Sequence, residues 1–359
     1  MADIRVVPDA EPATLGAFDM IVDARSPGEF AEDRIPGAVN LPVLDDAQRA
    51  EVGAIYVQES RFKARRIGGA YVAANVARHL ETVMADWPPS LSSLVYCWRG
   101  GMRSNAMATI LAQVGWRTSV LAGGYRTYRR RVVQRLYDGE PAHRVVLLEG
   151  HTGSGKTEVL HRLSEQGVQT LDLEGLAAHR GSLLGGLPGR AQPSQKAFES
   201  SLLAALEQLD PSRPVVVEAE SSKVGELMIP PLLWKAMQVA PRIALSAPGE
   251  ARARYLAQTY AVGLDPEVLA AALSRLQALG RKRSQAWASL ARAGDLETLA
   301  AELIEAHYDP AYRRSSRRAA GPLLGEVTLT RLDPEAFMWA AAEAARILAD
   351  LDDLERAAR

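Results

Sequence analysis

The chain has 359 residues, 47% of them hydrophobic and 24% charged, with a formal net charge of −1. At about 150 residues per domain this length predicts two domains, each able to bury its own core. The composition excludes a wholly disordered or fibrous chain, and no apolar run approaches the roughly 18 residues needed to cross a bilayer.

Met1 to Arg5 lead into Asp9 and Glu11 before any apolar stretch develops, so no signal peptide is expected. A cytoplasmic protein with no membrane partner is the expectation. Met20-Ile21-Val22-Asp23 is a short apolar run ending in a polar turn and predicts a strand. Ala70 to Met84 carries Tyr71, Val72, Val76, Leu80 and Val83 at helical spacing. Leu94-Val95-Tyr96 predicts a strand ending at Cys97, Ser104 to Val114 a helix, and Thr118 to Leu121 a strand closed by Gly123-Gly124. Tyr125 to Leu136 predicts a basic helix whose buried side is Val132, Val133 and Leu136. Strands alternating with helices predict a parallel sheet with helices on its faces.

Tyr-Asp-Gly-Glu-Pro-Ala at 137–142 breaks that helix and sets a domain boundary, giving domains 1–136 and 137–359. Arg144 to Leu148 predicts the next strand, and Glu158 to Leu163 a helix behind it. Further strands are predicted at Thr170-Leu171-Asp172, Val215 to Glu218 and Arg242 to Leu245. From Glu250 onward the pattern is helical and alanine-rich, apart from a last strand candidate at Gly325 to Thr330. No repeat of solenoid period and no low-complexity tract interrupts it.

Gly150-His151-Thr152-Gly153-Ser154-Gly155-Lys156-Thr157 is a full G-x-x-x-x-G-K-[ST] match between a strand and a helix, the setting that a P-loop requires. The backbone N–H groups of Gly150, Thr152, Gly153, Ser154 and Gly155 can cradle phosphate oxygens, with Lys156 adding charge and the Thr157 hydroxyl able to ligate Mg²⁺. His151 occupies a variable position and reads as incidental. Glu218 and Glu220 end one strand and Asp172 and Glu174 follow another, so either pair is a candidate for the carboxylates on the metal side. Helix N-caps and exposed charges are the other uses of such residues.

Cys97-Trp98-Arg99-Gly100-Gly101-Met102-Arg103-Ser104 forms a second strand-to-helix loop. A cysteine there faces a helix N-terminal dipole, the environment of nucleophilic thiols, and the loop amides with Arg103 and Arg99 would hold an anion above it. As the only cysteine, Cys97 also excludes an internal disulfide framework and a cysteine-only metal site. Of the 42 basic residues, 36 are arginine, crowded at 126–135, 281–283 and 313–318. Such patches fit a polyanion partner, while a GC-rich genome and solvated helix faces account for them equally well.

Asp23-Ala24-Arg25-Ser26-Pro27-Gly28-Glu29-Phe30 and Ile35-Pro36-Gly37-Ala38-Val39-Asn40 resemble the rhodanese pattern, in which the Asp and Arg are braces and the cysteine carries a persulfide. Five residues rather than four separate Cys97 from Arg103, so the loop also resembles the C-x5-R-[ST] cradle of cysteine phosphatases. Tyr96 stands where those enzymes have histidine, and no acid loop is evident. With the P-loop, Leu121 to Arg129, Asp172 to Ala177, His179 to Ser182, Gln192 to Glu199 and His307 to Pro310, the chain resembles the tRNA 2-selenouridine synthase family. The resemblance implies an α/β fold: an N-terminal rhodanese-like parallel-sheet domain, then a P-loop NTPase-like domain with a helical C-terminal region.

It also implies a selenium transferase and geranyltransferase. Sulfur of a wobble 2-thiouridine in tRNA would be replaced by selenium from selenophosphate, through an S-geranylated uridine made from geranyl diphosphate. Selenophosphate synthetase would be a partner. Cys97 would take selenium as a perselenide, or else assist direct attack by selenophosphate. Arg126, Arg129, Arg130, Arg131, Arg313 and Arg314 would bind tRNA, with Tyr125, Tyr128 or Trp98 stacking a base. The competing expectation is a P-loop kinase or ATPase with a regulatory rhodanese or phosphatase-like domain.

Overall fold

The computed structural model describes residues 4–181, 185–187, 189–261, 265–274, 280–316 and 321–357. It divides into two compact units, Met1–Asp138 with Pro193–Glu207, and Gly139–Gln192 with Gln208–Arg359.

The first unit begins with β1 (Arg5–Val7), α1 (Pro12–Leu15), β2 (Met20–Asp23), α2 (Pro27–Glu32) and β3 (Val39–Asn40). It continues through α3 (Asp46–Gln58), α4 (Arg61–Glu81), β4 (Ser92–Tyr96), α5 (Met102–Val114), β5 (Arg117–Leu121) and α6 (Tyr125–Tyr137). Its sheet has the order β1-β5-β4-β2-β3 and every pair is parallel. Leu94, Val95 and Tyr96 are wholly buried because helices cover both faces, which is why the second half of β4 reads as an apolar run. Val22, Leu41, Val76, Met107, Leu111 and Val120 form the core around it.

Two helix expectations need correction. Helix α4 starts at Arg61, well before Ala70, under a cap in which Ser60 Oγ accepts from the Lys63 N–H. Its first turns are arginine- and glycine-rich, which masks the apolar period. Val83 lies beyond its end and Val133 is on the outer side of α6, so neither is core. Helix α3, unpredicted, is set by a capping box between Asp45 and Gln48.

The second unit carries β6 (Val145–Gly150), α7 (Lys156–Glu165), β7 (Thr170–Leu171) and α8 (Leu173–Ala177). The chain then supplies α9 (Gln195–Glu207) to the first unit and returns with β8 (Val215–Glu218), β9 (Lys223–Val224), β10 (Leu227–Met228), α10 (Pro231–Val239) and β11 (Arg242–Ser246). Helices α11 (Gly249–Ala261), α12 (Pro266–Ser274), α13 (Arg281–Ala293) and α14 (Leu296–Leu303) follow, then a π-helical turn (Ile304–Tyr308) and α15 (Asp309–Ser316). The last strand is β12 (Leu323–Thr328), and α16 (Pro334–Ala357) ends the described chain.

The main sheet, β12-β11-β6-β8-β7, is parallel throughout, and β9 and β10 form a separate antiparallel pair. Val146, Leu148, Val159, Leu163, Ile243 and Phe337 pack its core, while Trp287, Leu299 and Leu303 centre a second cluster among the helices. No described helix is long and apolar enough to cross a membrane.

The excursion of α9 corrects the linear division at 136/137. Ser200 of α9 donates to Asp33 at 3.0 Å, and Tyr125 donates to the same carboxylate at 2.6 Å. Arg129 pairs with Glu199, which is 1% exposed and also accepts from the Tyr137 hydroxyl at 2.6 Å. Arg131 pairs with Glu207 and, at 3.0 Å, with Glu11. Arg129 and Arg131 are therefore engaged inside the first unit, and Tyr125 and Tyr128, each 3% exposed, present no free ring face on which a base could stack. Helix α6 packs against α9, and the cations held in that packing are neutralised by the α9 carboxylates and by Glu11. Arg126, Arg130 and Arg135 remain exposed, as do Arg281, Lys282, Arg283 and Arg313. The Arg314 side chain, Ser182, Arg317 and Arg318 lie outside the described residues.

Candidate functional sites: a thiol loop and a phosphate loop

Cys97 follows β4 at the C-terminal end of the first sheet, and α5 begins five residues later. The loop is held from behind by the start of α6: the Tyr125 N–H donates to the Cys97 carbonyl at 2.8 Å, and the Arg126 N–H to the Trp98 carbonyl at 3.3 Å. Gly124, at φ +58°, allows this approach, since a Cβ there would collide with the Cys97 carbonyl and the Gly100 nitrogen. That is the physical content of the Gly-Gly-Tyr segment. Trp98 packs on Tyr125 with ring centroids 5.2 Å apart.

Cys97 is 3% exposed, and its sulfur lies 3.2 Å from the Ser104 hydroxyl, which is also 3.1 Å from the Gly101 carbonyl. Turning the single hydroxyl proton toward sulfur stabilises a thiolate; turning it toward the carbonyl leaves the thiol as donor. The expected anion-holding role of Arg103 is not what the structure displays. Its guanidinium donates to both oxygens of Glu29, at 2.6 and 3.2 Å. Burial alone would raise the Glu29 pKa, but the Arg103 hydrogen bonds and charge outweigh it and hold the carboxyl below its ordinary value. Arg99 is exposed at the mouth of the loop. Arg25 bonds Asp23 and the Asp33 carbonyl and lies over the Tyr125 ring, so the Asp-x-Arg motif braces the C-terminal end of β2.

In the second unit the P-loop runs from the end of β6 into α7. Gly155 has φ +80° and backs onto Phe337, whose ring would block any Cβ there. Lys156 Nζ donates to the Gly150 carbonyl at 3.1 Å, and the buried Ser154 hydroxyl has no hydrogen-bond partner. The Thr157 hydroxyl lies 2.6 Å from Glu218 and 3.1 Å from Glu174. Glu218, Glu174 and Glu220 thus gather at the loop. Asp172 does not: it caps α8 through the Gly175 N–H at 2.6 Å and pairs with His161. Among the described residues no group of three or more His, Cys, Asp or Glu forms a ready metal cage. The hard oxygens of Thr157 and Glu218 nevertheless fit Mg²⁺, which commonly takes one or two protein ligands and fills its shell with phosphate oxygens and water.

Burial first, then repulsion by Glu220, raises Glu174 to about 8; burial and then Glu174 raise Glu218 to about 8. Burial raises Glu220 to about 7 against the pull of Lys156. Because the folded values exceed the unfolded ones, their contribution to stability is full below the unfolded pKa and is lost as pH rises through the folded ones. The unliganded chain should melt lower at about pH 8.5 than at about pH 5.5, and Glu218→Gln should flatten that fall. One retained pKa unit is about 1.4 kcal/mol, or roughly 3–6 °C for a domain of this size. Differential scanning fluorimetry of both proteins across that range checks it.

A cluster behind the loop joins residues far apart in the chain. Arg252, 5% exposed, donates to both oxygens of Asp309 at 2.9 Å and to the Thr152 carbonyl at 3.3 Å. His151, far from incidental, bonds Asp309 at 2.9 Å and stacks on Tyr312 at 4.1 Å. Arg252 and Asp309 thereby clamp the P-loop from elements about 100 and 150 residues downstream. The His-Tyr-Asp-Pro segment is the one signal of it in the sequence.

A parallel-sheet domain with a cysteine loop, joined to a P-loop domain, defines a two-domain α/β protein of the rhodanese plus P-loop class. Residues 10–131 match the rhodanese-like domain and residues 143–292 the tRNA 2-selenouridine synthase AAA domain. The chain is 31% identical over 336 residues to the tRNA 2-selenouridine synthase of Alcanivorax borkumensis, covering 85% of this chain and 91% of that one. It is 36% identical over 214 residues to the protein of that name from Nitrosomonas europaea and 35% over 243 residues to that from Aeromonas salmonicida. These two matches cover 58% and 67% of this chain and only 55% and 64% of those relatives. The chain belongs to the tRNA 2-selenouridine synthase family.

Proposed function

We propose that this chain replaces the sulfur of a wobble 2-thiouridine in tRNA by selenium, with geranyl diphosphate and selenophosphate as co-substrates. The observation carrying this reading is the coexistence, in a member of this family, of two chemically distinct loops: a buried thiol in one unit and a P-loop in the other. A thiouridine sulfur is a poor leaving group, and alkylating it makes a better one. The sulfur attacks C1 of the geranyl group, the C–O bond to diphosphate breaks, and the P-loop amides with Lys156 take the departing charge. Mg²⁺, held by Thr157 and Glu218, would neutralise diphosphate further.

Selenium then enters at the Cys97 loop. Attack by selenophosphate balances without redox chemistry: a bond forms from selenium to C2, geranylthiolate leaves, and water opens the P–Se bond to release phosphate. Carriage on Cys97 as a perselenide would need an oxidant to form the S–Se bond and a thiol to break it. The direct route is therefore the one adopted, with Cys97 beside the departing sulfur. Selenophosphate synthetase, as the source of the donor, is the proposed partner.

Incubating the protein with thiolated tRNA, geranyl diphosphate and selenophosphate, then weighing the nucleosides, tests this reading. Selenouridine together with S-geranyl-2-thiouridine supports it. ATP turnover with unchanged tRNA would favour a kinase or ATPase instead. For the RNA surface, Arg126 and Arg130 are the exposed candidates of α6. Arg126→Glu with Arg130→Glu should weaken tRNA binding and flatten its dependence on salt, by about 0.9 in log–log slope for each phosphate no longer neutralised. Titrations at two salt concentrations measure this, and an unchanged affinity would move the tRNA site toward Arg313.

A further inference from the structure

A large groove in the first unit opens beside the thiol loop, and most of its lining has no part in the chemistry above. It lies among α3, α4 and the start of α5, encloses about 1180 Å³, and has Cys97 and Arg99 in its lining. Leu44, Val52, Tyr56, Val72 and Ile110 supply an apolar wall. Gly53 on α3 and Gly68 on α4 also line it, and a Cβ at Gly68 would press on Val52 of the facing helix at 3.3 Å. Large apolar groups stand unusually exposed along it: Val57 is 83%, Met102 62% and Tyr56 45% accessible. Four arginines against two glutamates line the same groove, Arg49, Arg65, Arg99 and Arg103 facing Glu29 and Glu32.

Selenophosphate is a small anion and needs neither an apolar wall nor this volume. An apolar body with cationic groups and a thiol suits a different ligand, an aliphatic chain joined to a polyanion. We propose that this groove seats the branched chain of about ten carbons on the alkylated sulfur of the tRNA, with the carbon–sulfur bond to be broken beside Cys97 and RNA phosphates near the arginines. This inference rests on the geranylated intermediate of the proposed function and adds where its chain is recognised. The chain then holds the leaving sulfur at the thiol loop, and an alkylated tRNA is distinguished from an unalkylated one by apolar burial rather than by charge. Removing even four carbons from water predicts a preference of about 10²-fold.

The test uses the full chain and two tRNAs, one bearing S-geranyl-2-thiouridine and one bearing S-methyl-2-thiouridine at the wobble position. Affinity and selenation with selenophosphate are measured for each. The wild-type protein should favour the geranylated tRNA by about 10²-fold in both readouts. Two variants should bring that ratio toward one. Gly69→Phe adds a ring from a helical position where a new Cβ meets nothing within 4 Å, and Val57→Asp places a carboxylate at the exposed apolar edge at little cost to folding. A wild-type ratio near one, or a ratio unchanged in both variants, overturns the groove while leaving the proposed reaction standing. Selenation of neither tRNA overturns the reaction and the groove together.

Discussion

Cys97→Ser is expected to lower selenation by about 10²- to 10⁴-fold, the contribution of a well-placed proton donor, while geranylation and tRNA binding stay near their original levels. Cys97 sits at the C-terminal end of β4 beside the Ser104 hydroxyl, so serine fits the space but lacks the more acidic S–H. Both steps are read by mass spectrometry of digested tRNA. Mass spectra of the intact protein separate the two selenium routes. A protein heavier by one selenium atom on Cys97 would restore the perselenide carrier. Full selenation by the serine variant would remove the thiol from the chemistry altogether.

Lys156→Ala should cut geranyl transfer by about 10²-fold or more, because the departing diphosphate is deprived of a cation that neutralises it. Lys156 Nζ donates to the Gly150 carbonyl, so its charge already lies over the loop, and a bound phosphate need only replace that acceptor. Supplied with pre-geranylated tRNA, this variant should still form selenouridine at a rate near the original. Equal loss of both steps would mean that the P-loop serves a shared site, and the division of labour between the units would be wrong. Rates for the two half-reactions, measured separately, decide it.

The features legible from sequence were those built from contiguous residues. The P-loop was readable because its glycines, Lys156 and Thr157 act through the backbone geometry of eight successive positions. The Cys97 loop was readable for the same reason, as were the apolar strands on either side of each loop. Parallel strands buried on both faces advertise themselves by apolar runs, as Leu94 to Tyr96 of β4, Val145 to Leu148 of β6 and Val215 to Val217 of β8 do.

Charge was a different matter. Five arginines in α6 looked alike in sequence, yet Arg129 and Arg131 are committed to Glu199 and Glu207 of α9, about 70 residues away, while Arg126 and Arg130 are exposed. Arg103 is likewise taken by Glu29, Asp172 by a helix cap, and His151 and Arg252 by Asp309. A local pattern determines how the backbone runs, because its hydrogen bonds and dihedral preferences are short-ranged. Which carboxylate neutralises which cation, and which helices leave a groove open beside the thiol, depends on residues brought together only when each unit packs, since burying a charge demands a partner wherever in the chain it lies.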